Sequence, residues 1–383
     1  MNDHLAGVAK GYRVNQGNPL PSLPKRLLPN EPREVDSGVQ LELTERYLLP
    51  MLGDLEAFFL FLRTQADSEL QLAKPNKLGK PYPIGQCLEI TLAVKQRLRC
   101  ANVGLCQMPS ARRGFLAFNA FRKGGGVTRQ VWGDLRGAFF QNAFQVGTLY
   151  VDVANDTVTA TKPKVEILPF ADAQLVPISD FRHFARLASL YWQDRIYPNH
   201  VLPELAPVCP LIHVTPNGSV RIAEATQYMV AMAQAKGFRA SEEVLRDEPI
   251  PAEVFRHMVD YLAGSHAQLA QTPEQGRIAA LRACRIQRSK KWHLSRKLAN
   301  QTINTVMDIN KRLADTPIKT TLTICIDNRE YDSAMLSEHA RCALANLHIT
   351  EQRIAHIKQQ LAIHQTARTA FARALVKALA APA

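Results

Sequence analysis

The chain has no histidine between His4 and His183, no CxxC pair and no apolar run long enough to cross a bilayer. Each absence excludes something. Without closely spaced cysteines there is no zinc knuckle, and no metal or cofactor is expected. The seven cysteines (Cys87, Cys100, Cys106, Cys209, Cys284, Cys325 and Cys342) are odd in number and irregularly spaced. That pattern argues against a disulfide framework and for a reducing, cytoplasmic setting. The most apolar stretch, residues 55–62, is interrupted by Glu56 and is too short for a membrane span. Residues 1–10 are mixed and polar, without the apolar core of a signal peptide. No fixed-period repeat and no sustained heptad occurs, which removes solenoids and coiled coils.

What is present is ordinary folding material with an uneven charge. The 383 residues are 46% apolar and 21% charged, enough for a sizeable core and for two or three domains. Lys and Arg number 47 against 34 Asp and Glu, a net charge of +13. Residues 251–383 hold 19 of the cations and 10 of the acids, an excess of 9, whereas the remaining 28 and 24 leave an excess of 4. A basic surface attracts nucleic acid, an acidic protein or anionic lipid, and its sign alone does not choose among them.

Along the chain, residues 1–36 read as a proline-rich arm. Pro19, Pro21, Pro24, Pro29 and Pro32 each remove a backbone donor and fix φ. Leu20, Leu23, Leu27 and Leu28 suggest that the arm lies on the body; a flexible tail is the alternative. After Pro50, the spacing of Leu52, Leu55, Phe59 and Leu62 predicts a helix, and residues 66–86 read as loop. Cys87, Ile90, Thr91, Val94 and Leu98 share a helical face. Phe140, Asn142, Phe144 and Val146, then Leu149, Val151 and Val153, alternate on either side of Gly147 and predict an antiparallel strand pair. A further strand is expected over residues 164–168. Asp180 should cap a helix running to about Gln193. A strand follows at residues 211–214 and a helix over residues 223–236. Thr272-Pro273-Glu274-Gln275 opens a helix expected to reach about Ala314. A strand is then expected at 320–326, with helices near 333–346 and 351–379.

Cys87 follows a rigid loop, Tyr82-Pro83-Ile84-Gly85-Gln86, at the start of a predicted helix. Unpaired N–H groups and the positive end of the helix dipole favour a thiolate there. The same groups can hold an oxyanion. A thiol-bearing helix followed by an antiparallel strand pair resembles the core of the papain-like and transglutaminase-like thiol enzymes, over residues 78–156. The resemblance implies a hydrolase or acyl-transfer protein acting on amide or ester bonds, with Cys87 as nucleophile. In that superfamily the first strand supplies a His and the next an Asp or Asn. Asp152 and Asp156 stand at suitable strand-end positions. The strand over residues 138–146, however, has no histidine. Its polar residues, Gln141 and Asn142, carry amides that cannot take a proton at neutral pH. A base would have to come from His183, His200 or His213; otherwise the fold is kept without the chemistry.

Two basic features remain. Arg122-Lys123-Gly124-Gly125-Gly126 can wrap a phosphate with backbone N–H groups but lacks P-loop spacing. A hairpin connection is the simpler reading. Residues 277–297 contain Arg277, Arg282, Arg285, Arg288, Lys290, Lys291, Arg296 and Lys297 and no acid. Arg282, Arg285 and Arg288 share one helical face, and Ile278, Leu281, Cys284 and Gln287 another. Trp292 and His293 add rings able to stack on bases. This stretch is a candidate phosphate-tracking surface, or a solvated face neutralised by acids such as Asp54 or Glu242.

The sequence thus implies an α+β protein: an antiparallel sheet packed with helices over residues 37–245, followed by a mainly helical basic region over 246–383. Its function is either thiol chemistry at Cys87 or the binding of nucleic acid or an acidic partner through residues 277–297.

Overall fold

The computed structural model describes residues 28–33, 37–77, 80–222, 226–264, 267–314, 316–318, 323–326, 329–332, 336–337, 339–340, 343, 347 and 350. The chain opens with α1 (Ser37–Tyr47), α2 (Leu52–Ala73), a two-strand ribbon of β1 (Asn76–Lys77) and β2 (Lys80–Pro81), α3 (Cys87–Cys100) and α4 (Pro109–Lys123). Then come β3 (Thr128–Leu135), β4 (Phe139–Val146), β5 (Leu149–Asp152), β6 (Glu166–Pro169) and β7 (Leu175–Val176). These five form one antiparallel sheet in the order β6-β5-β4-β3-β7. α5 (Phe181–Tyr191) leads to a second antiparallel sheet of β8 (Arg195–Pro198), β9 (Leu211–Val214) and β10 (Val220–Ile222), with β9 central. Helices follow: α6 (Gln227–Gln234), α7 (Arg239–Leu245), α8 (Ala252–Leu262), α9 (Pro273–Ser289) and α10 (Arg296–Leu313). A hairpin of β11 (Thr323–Ile326) and β12 (Arg329–Asp332) follows. The architecture is α+β, with antiparallel sheets packed by helices and a mainly helical later part. The helix expected over 351–379, most of that near 333–346, and Leu20, Leu23 and Leu27 of the arm lie outside the described residues.

One face of the five-stranded sheet is covered by helices. Leu55, Phe58, Phe59 and Leu62 of α2 pack with Ile90 and Val94 of α3, Phe118 and Phe121 of α4, and Phe144, Val146, Leu149 and Val151 of the sheet. α2 outruns its expected length: the region read as loop from residue 66 continues as helix to Ala73, because no proline or glycine intervenes before Pro75 and Ala66 extends the buried stripe. α4 touches α2 closely at Gly114. A Cβ there would stand 1.9 Å from the Asp54 carbonyl oxygen, so only glycine lets these backbones meet. The basic glycine loop is the end of α4. The N–H groups of Gly124, Gly125 and Gly126 donate to Ala120, Arg122 and Phe121 carbonyls, leaving none to wrap a phosphate.

Residues 28–33 run beside β3, where Asn30 accepts from Trp132 N–H at 2.8 Å and Arg129 donates to the carbonyls of Glu31 and Arg33. Leu28 packs with Trp132 against a core that joins Phe140 to Phe181, Phe184 and Leu187 of α5 and to Tyr228 and Met229 of α6. A separate core gathers Val201, Ile212, Val214, Phe238, Leu245, Ile250, Met258, Cys284, Val306 and Leu313. The domain boundary expected between residues 245 and 246 therefore runs through the middle of one hydrophobic core.

A fully buried guanidinium lies under the first sheet. Arg63 of α2 has no exposed side-chain surface and uses four of its five N–H donors. It donates to Asp67 at 2.5 Å, to the Val153 carbonyl at 2.7 Å, and to both oxygens of Asp156 at 2.8 and 3.0 Å. Burial alone would lower its pKa, but the two carboxylates outweigh that and hold it above its ordinary value. Asp67 is also held by Tyr82 and, at 2.5 Å, by Lys164. Removing one member of such a network strands the others in a dry interior. Arg63→Ala is expected to lower unfolding free energy by about 3–5 kcal/mol in chemical denaturation, with the far-UV spectrum of any folded fraction unchanged; a loss below about 1 kcal/mol would contradict the network's role.

Candidate functional site

The loop before Cys87 is pinned at both ends. Gly85, at φ +74, donates its N–H to the Thr157 carbonyl at 2.9 Å, and the fully buried Gln86 donates from Nε2 to the Lys74 carbonyl at 2.9 Å. Cys87 is then the first residue of α3, and its thiol points at β4. The sulfur donates to the Phe140 carbonyl at 3.9 Å and receives the Asn142 side-chain amide at 3.7 Å. Asn142 Oδ1 accepts from Gln130 at 3.2 Å, and Gln130 accepts from Lys95 at 3.0 Å. A directed chain of hydrogen bonds thus runs from the ammonium of Lys95 to a backbone carbonyl, with the thiol inside it.

This geometry favours the protonated thiol. Burial pushes the Cys87 pKa up, against the opposing hydrogen bonds from Asn142. The S–H also has an acceptor that an anion could not use. The helix N-terminus, expected to favour the thiolate, is outweighed by the loss of water.

The acids expected near the thiol lie elsewhere. In the β4–β5 register Val151 opposes Phe144, so Asp152 shares its sheet face with Gln141, opposite to that of Asn142. Asp152 is fully buried, accepts from Gln141 at 2.6 Å, Tyr150 at 2.9 Å and Ala154 N–H at 2.7 Å, and borders a cavity of about 30 Å³. Burial raises its pKa to about 6. Asp156 is the ion-pair partner of Arg63.

The three histidines named as possible bases are also committed. His183, on the first turn of α5, bonds Asp134 through Nε2 at 2.8 Å and accepts the Ser179 N–H on Nδ1 at 3.2 Å. Asp180 caps that helix as expected, accepting the His183 N–H at 2.8 Å. His200 lies between the Leu245 carbonyl and the Ile250 N–H at 3.1 and 3.3 Å. His213 bonds Asp194 at 3.0 Å. Among the described residues no histidine is hydrogen-bonded to Cys87. The described residues include no group of three or more His, Cys, Asp or Glu arranged to hold a metal ion and no helix long and apolar enough to cross a membrane.

The basic stretch is differently built from the single helix expected. α9 begins as foreseen, with Thr272 accepting the Gln275 N–H at 3.2 Å and Pro273 in the first turn. It ends at Ser289. Lys291 takes a left-handed conformation at φ +56, Trp292–Leu294 forms one 3-10 turn, and Ser295 caps α10. The buried face of α9 is Gly276, Ala280, Ala283, Cys284 and Gln287; Ile278, placed on that face by spacing, is 69% exposed. The reason is close approach: a Cβ on Gly276 would stand 1.8 Å from the His200 carbonyl oxygen, so small residues define the contact. Arg288 leaves the basic face, gripping Glu242 at 2.7 and 3.0 Å and the Gly237 carbonyl at 2.8 Å. Arg277 donates to the Arg246 carbonyl. Arg282, Arg285, Lys290, Lys291, Arg296 and Lys297 are exposed, and none has a carboxylate within ion-pair distance among the described residues. Lys290 sits over the Trp292 ring at 5.1 Å.

Two measurements test the first-sheet groups. With its pKa raised, Cys87 should react with iodoacetamide at pH 7 more slowly than the exposed Cys100, because less of it is thiolate and its burial limits access. Asn142→His, which sets a titratable ring beside the sulfur, should speed the reaction; peptide-resolved mass spectrometry reads both, and faster labelling of Cys87 than Cys100 in the unaltered chain would refute the assignment. For Asp152 the folded pKa of about 6 lies above the ordinary 3.8. The folded state therefore binds the proton more tightly, and stability falls as pH rises from about 4 to about 6, by about 3 kcal/mol. Asp152→Asn stays neutral and should flatten that decline in denaturation curves taken from pH 4 to 7. An equally steep decline in the variant would mean that another group is responsible.

Searches against family models, curated proteins and solved structures find no match to this chain.

Proposed function

We propose that this chain binds nucleic acid, with little sequence preference, through the α9–α10 corner. One observation carries the reading: six exposed cations, Arg282, Arg285, Lys290, Lys291, Arg296 and Lys297, without carboxylate partners among the described residues. Cations with neighbouring acids are neutralised locally, as Arg288 is by Glu242. Unpaired ones gain by releasing the counterions condensed on a phosphate backbone. From Arg282 to Lys290 the helix rises about 12 Å, a length matching three or four phosphates at about 3.4 Å per step of one strand. Beyond Lys290 the chain turns, so Arg296 and Lys297 stand on a second segment and widen the surface.

The thiol centre supports a structural role. Covalent catalysis needs a nucleophile beside a base. Cys87 has an amide beside it instead, so the helix–strand arrangement serves packing here, without acyl transfer. Cys87→Ser is accordingly expected to leave binding intact.

Fluorescence anisotropy with a labelled oligonucleotide at several salt concentrations tests the proposal. The unaltered chain should bind at about 50 mM salt and weaken steeply as salt rises. The Arg282→Glu, Arg285→Glu double variant should bind more weakly and lose about 1.4 from its log–log slope, about 0.7 for each phosphate contact on a single strand. Both side chains are exposed, so circular dichroism should be unchanged. No binding by the unaltered chain at low salt would defeat the reading, and a variant that binds equally well would move the contact elsewhere.

A further inference from the structure

Where α9 gives way to α10, a cavity of about 230 Å³ opens, and two of its lining residues, Trp292 and Leu298, are chain neighbours of Lys291 and Lys297. It lies below the roughly 300–1,000 Å³ of pockets that take whole cofactors or drug-sized ligands. It is about eight times the ~30 Å³ that a water occupies in the liquid. A single planar ring system fits between those limits. Its wall combines two aromatic residues, Phe238 and Trp292, with three amides, Gln234, Gln287 and Gln301, and the hydroxyl of Thr302. Gln287 gives one of its two N–H donors to the Glu204 carbonyl at 2.8 Å, and its side-chain oxygen remains an acceptor. Thr302 donates to the Leu298 carbonyl at 3.1 Å and keeps its oxygen lone pairs.

We infer that this cavity receives one unstacked nucleobase from a single strand whose phosphates lie along the six cations. This rests on the nucleic-acid reading above and deepens it, since it specifies single-stranded ligand and a base-sized subsite. The chemistry is complementary on three counts. A base offers a π face to an aromatic wall, and stacking of this kind contributes about 1–3 kcal/mol per base. Its Watson–Crick edge presents donors and acceptors together, which primary amides match because each carries both. The third count is position. Trp292 lines the cavity while the Lys290 ammonium lies over its ring at 5.1 Å, so the base subsite and the phosphate-tracking face share a boundary. Glu204 also lines the cavity, and its carboxylate would repel a phosphate there, so the pocket discriminates for the base and the cations for the backbone. Gln287 is held by the Glu204 carbonyl, but Gln234 and Gln301 make no side-chain hydrogen bond among the described residues and can present either end of the amide, so recognition should tolerate several bases.

The experiment compares two labelled oligodeoxynucleotides of roughly 15 nucleotides, one ordinary and one abasic throughout, on the full chain and on a Thr302→Phe variant that fills the cavity. On the unaltered chain the ordinary strand should bind about tenfold more tightly than the abasic one, at equal salt slopes. Thr302→Phe should erase that difference by weakening only the ordinary strand. Should Thr302→Phe fail to fold by circular dichroism, Trp292→Leu is expected to erase the same difference. Equal binding of both strands to the unaltered chain overturns the base subsite while leaving phosphate binding standing. A preference that survives in the folded variant overturns it too. If neither strand binds at low salt, the nucleic-acid reading fails and the subsite falls with it.

Discussion

A single guanidinium ties the first half of the molecule together. Arg63, midway along the long second helix, reaches under the sheet to the Val153 carbonyl and the Asp156 carboxylate just beyond the end of β5. Its neighbour one turn on, Asp67, holds Tyr82 in the loop before Cys87 and Lys164 in the segment leading to β6. The Gly85 N–H meets the Thr157 carbonyl, next to Asp156. Helix, sheet end and pre-thiol loop are thereby fixed relative to one another by groups that cannot separate without stranding charge in a dry interior. The position of Cys87 against β4 is a consequence. The loop that delivers it is anchored to the same β5 end that Arg63 grips.

That placement also separates the polar groups that thiol chemistry would have to unite. A strand turns alternate residues to opposite faces, so Asn142 and Gln141, adjacent in sequence, serve different surroundings. Asn142 sits in the hydrogen-bond chain from Lys95 to the thiol, and Gln141 holds Asp152 beneath the other face. A carboxyl kept from water with three donors around it, and a thiol kept from water with an amide beside it, are each satisfied locally. Neither is left reaching for a reactive partner. A group of six exposed cations without carboxylate partners among the described residues gathers instead around the turn between α9 and α10, where a cavity of about 230 Å³ also opens.

Part of this was legible in the residues. Asp180 and Thr272 announced their helices because a capping oxygen needs only a backbone N–H three residues on. Alternation on either side of Gly147 announced β4 and β5, since Gly147 takes φ +59 at the turn. The absence of histidine from residues 138–146 already forbade an imidazole on β4. Other elements were hidden. β3 has polar residues, Gln130 and Asp134, at buried positions, where they bond Lys95, Asn142 and His183 of other elements, so its pattern does not read as a strand. α4 carries Gly114 in its middle, a poor helix former on propensity, kept because α2 passes too close for any side chain. The break after Ser289 has no proline to mark it; a left-handed Lys291 and the Ser295 cap make it.

The sequence by itself determined the α+β class, the thiol at a helix start, the missing base and the concentration of positive charge in residues 277–297. These depend on local periodicity, capping and composition, which act over a few residues and need no partner. Tertiary structure alone decided which charges are spent and which remain. Arg63, Arg288, Lys290 and Arg282 are all simply cations in the sequence. Arg63 found two carboxylates in the core and Arg288 found Glu242 across 46 residues, whereas Arg282 and Lys290 were carried to solvent by the faces on which their helix packs. Pairing depends on distance in space, so the chain must be folded before a net charge becomes a surface.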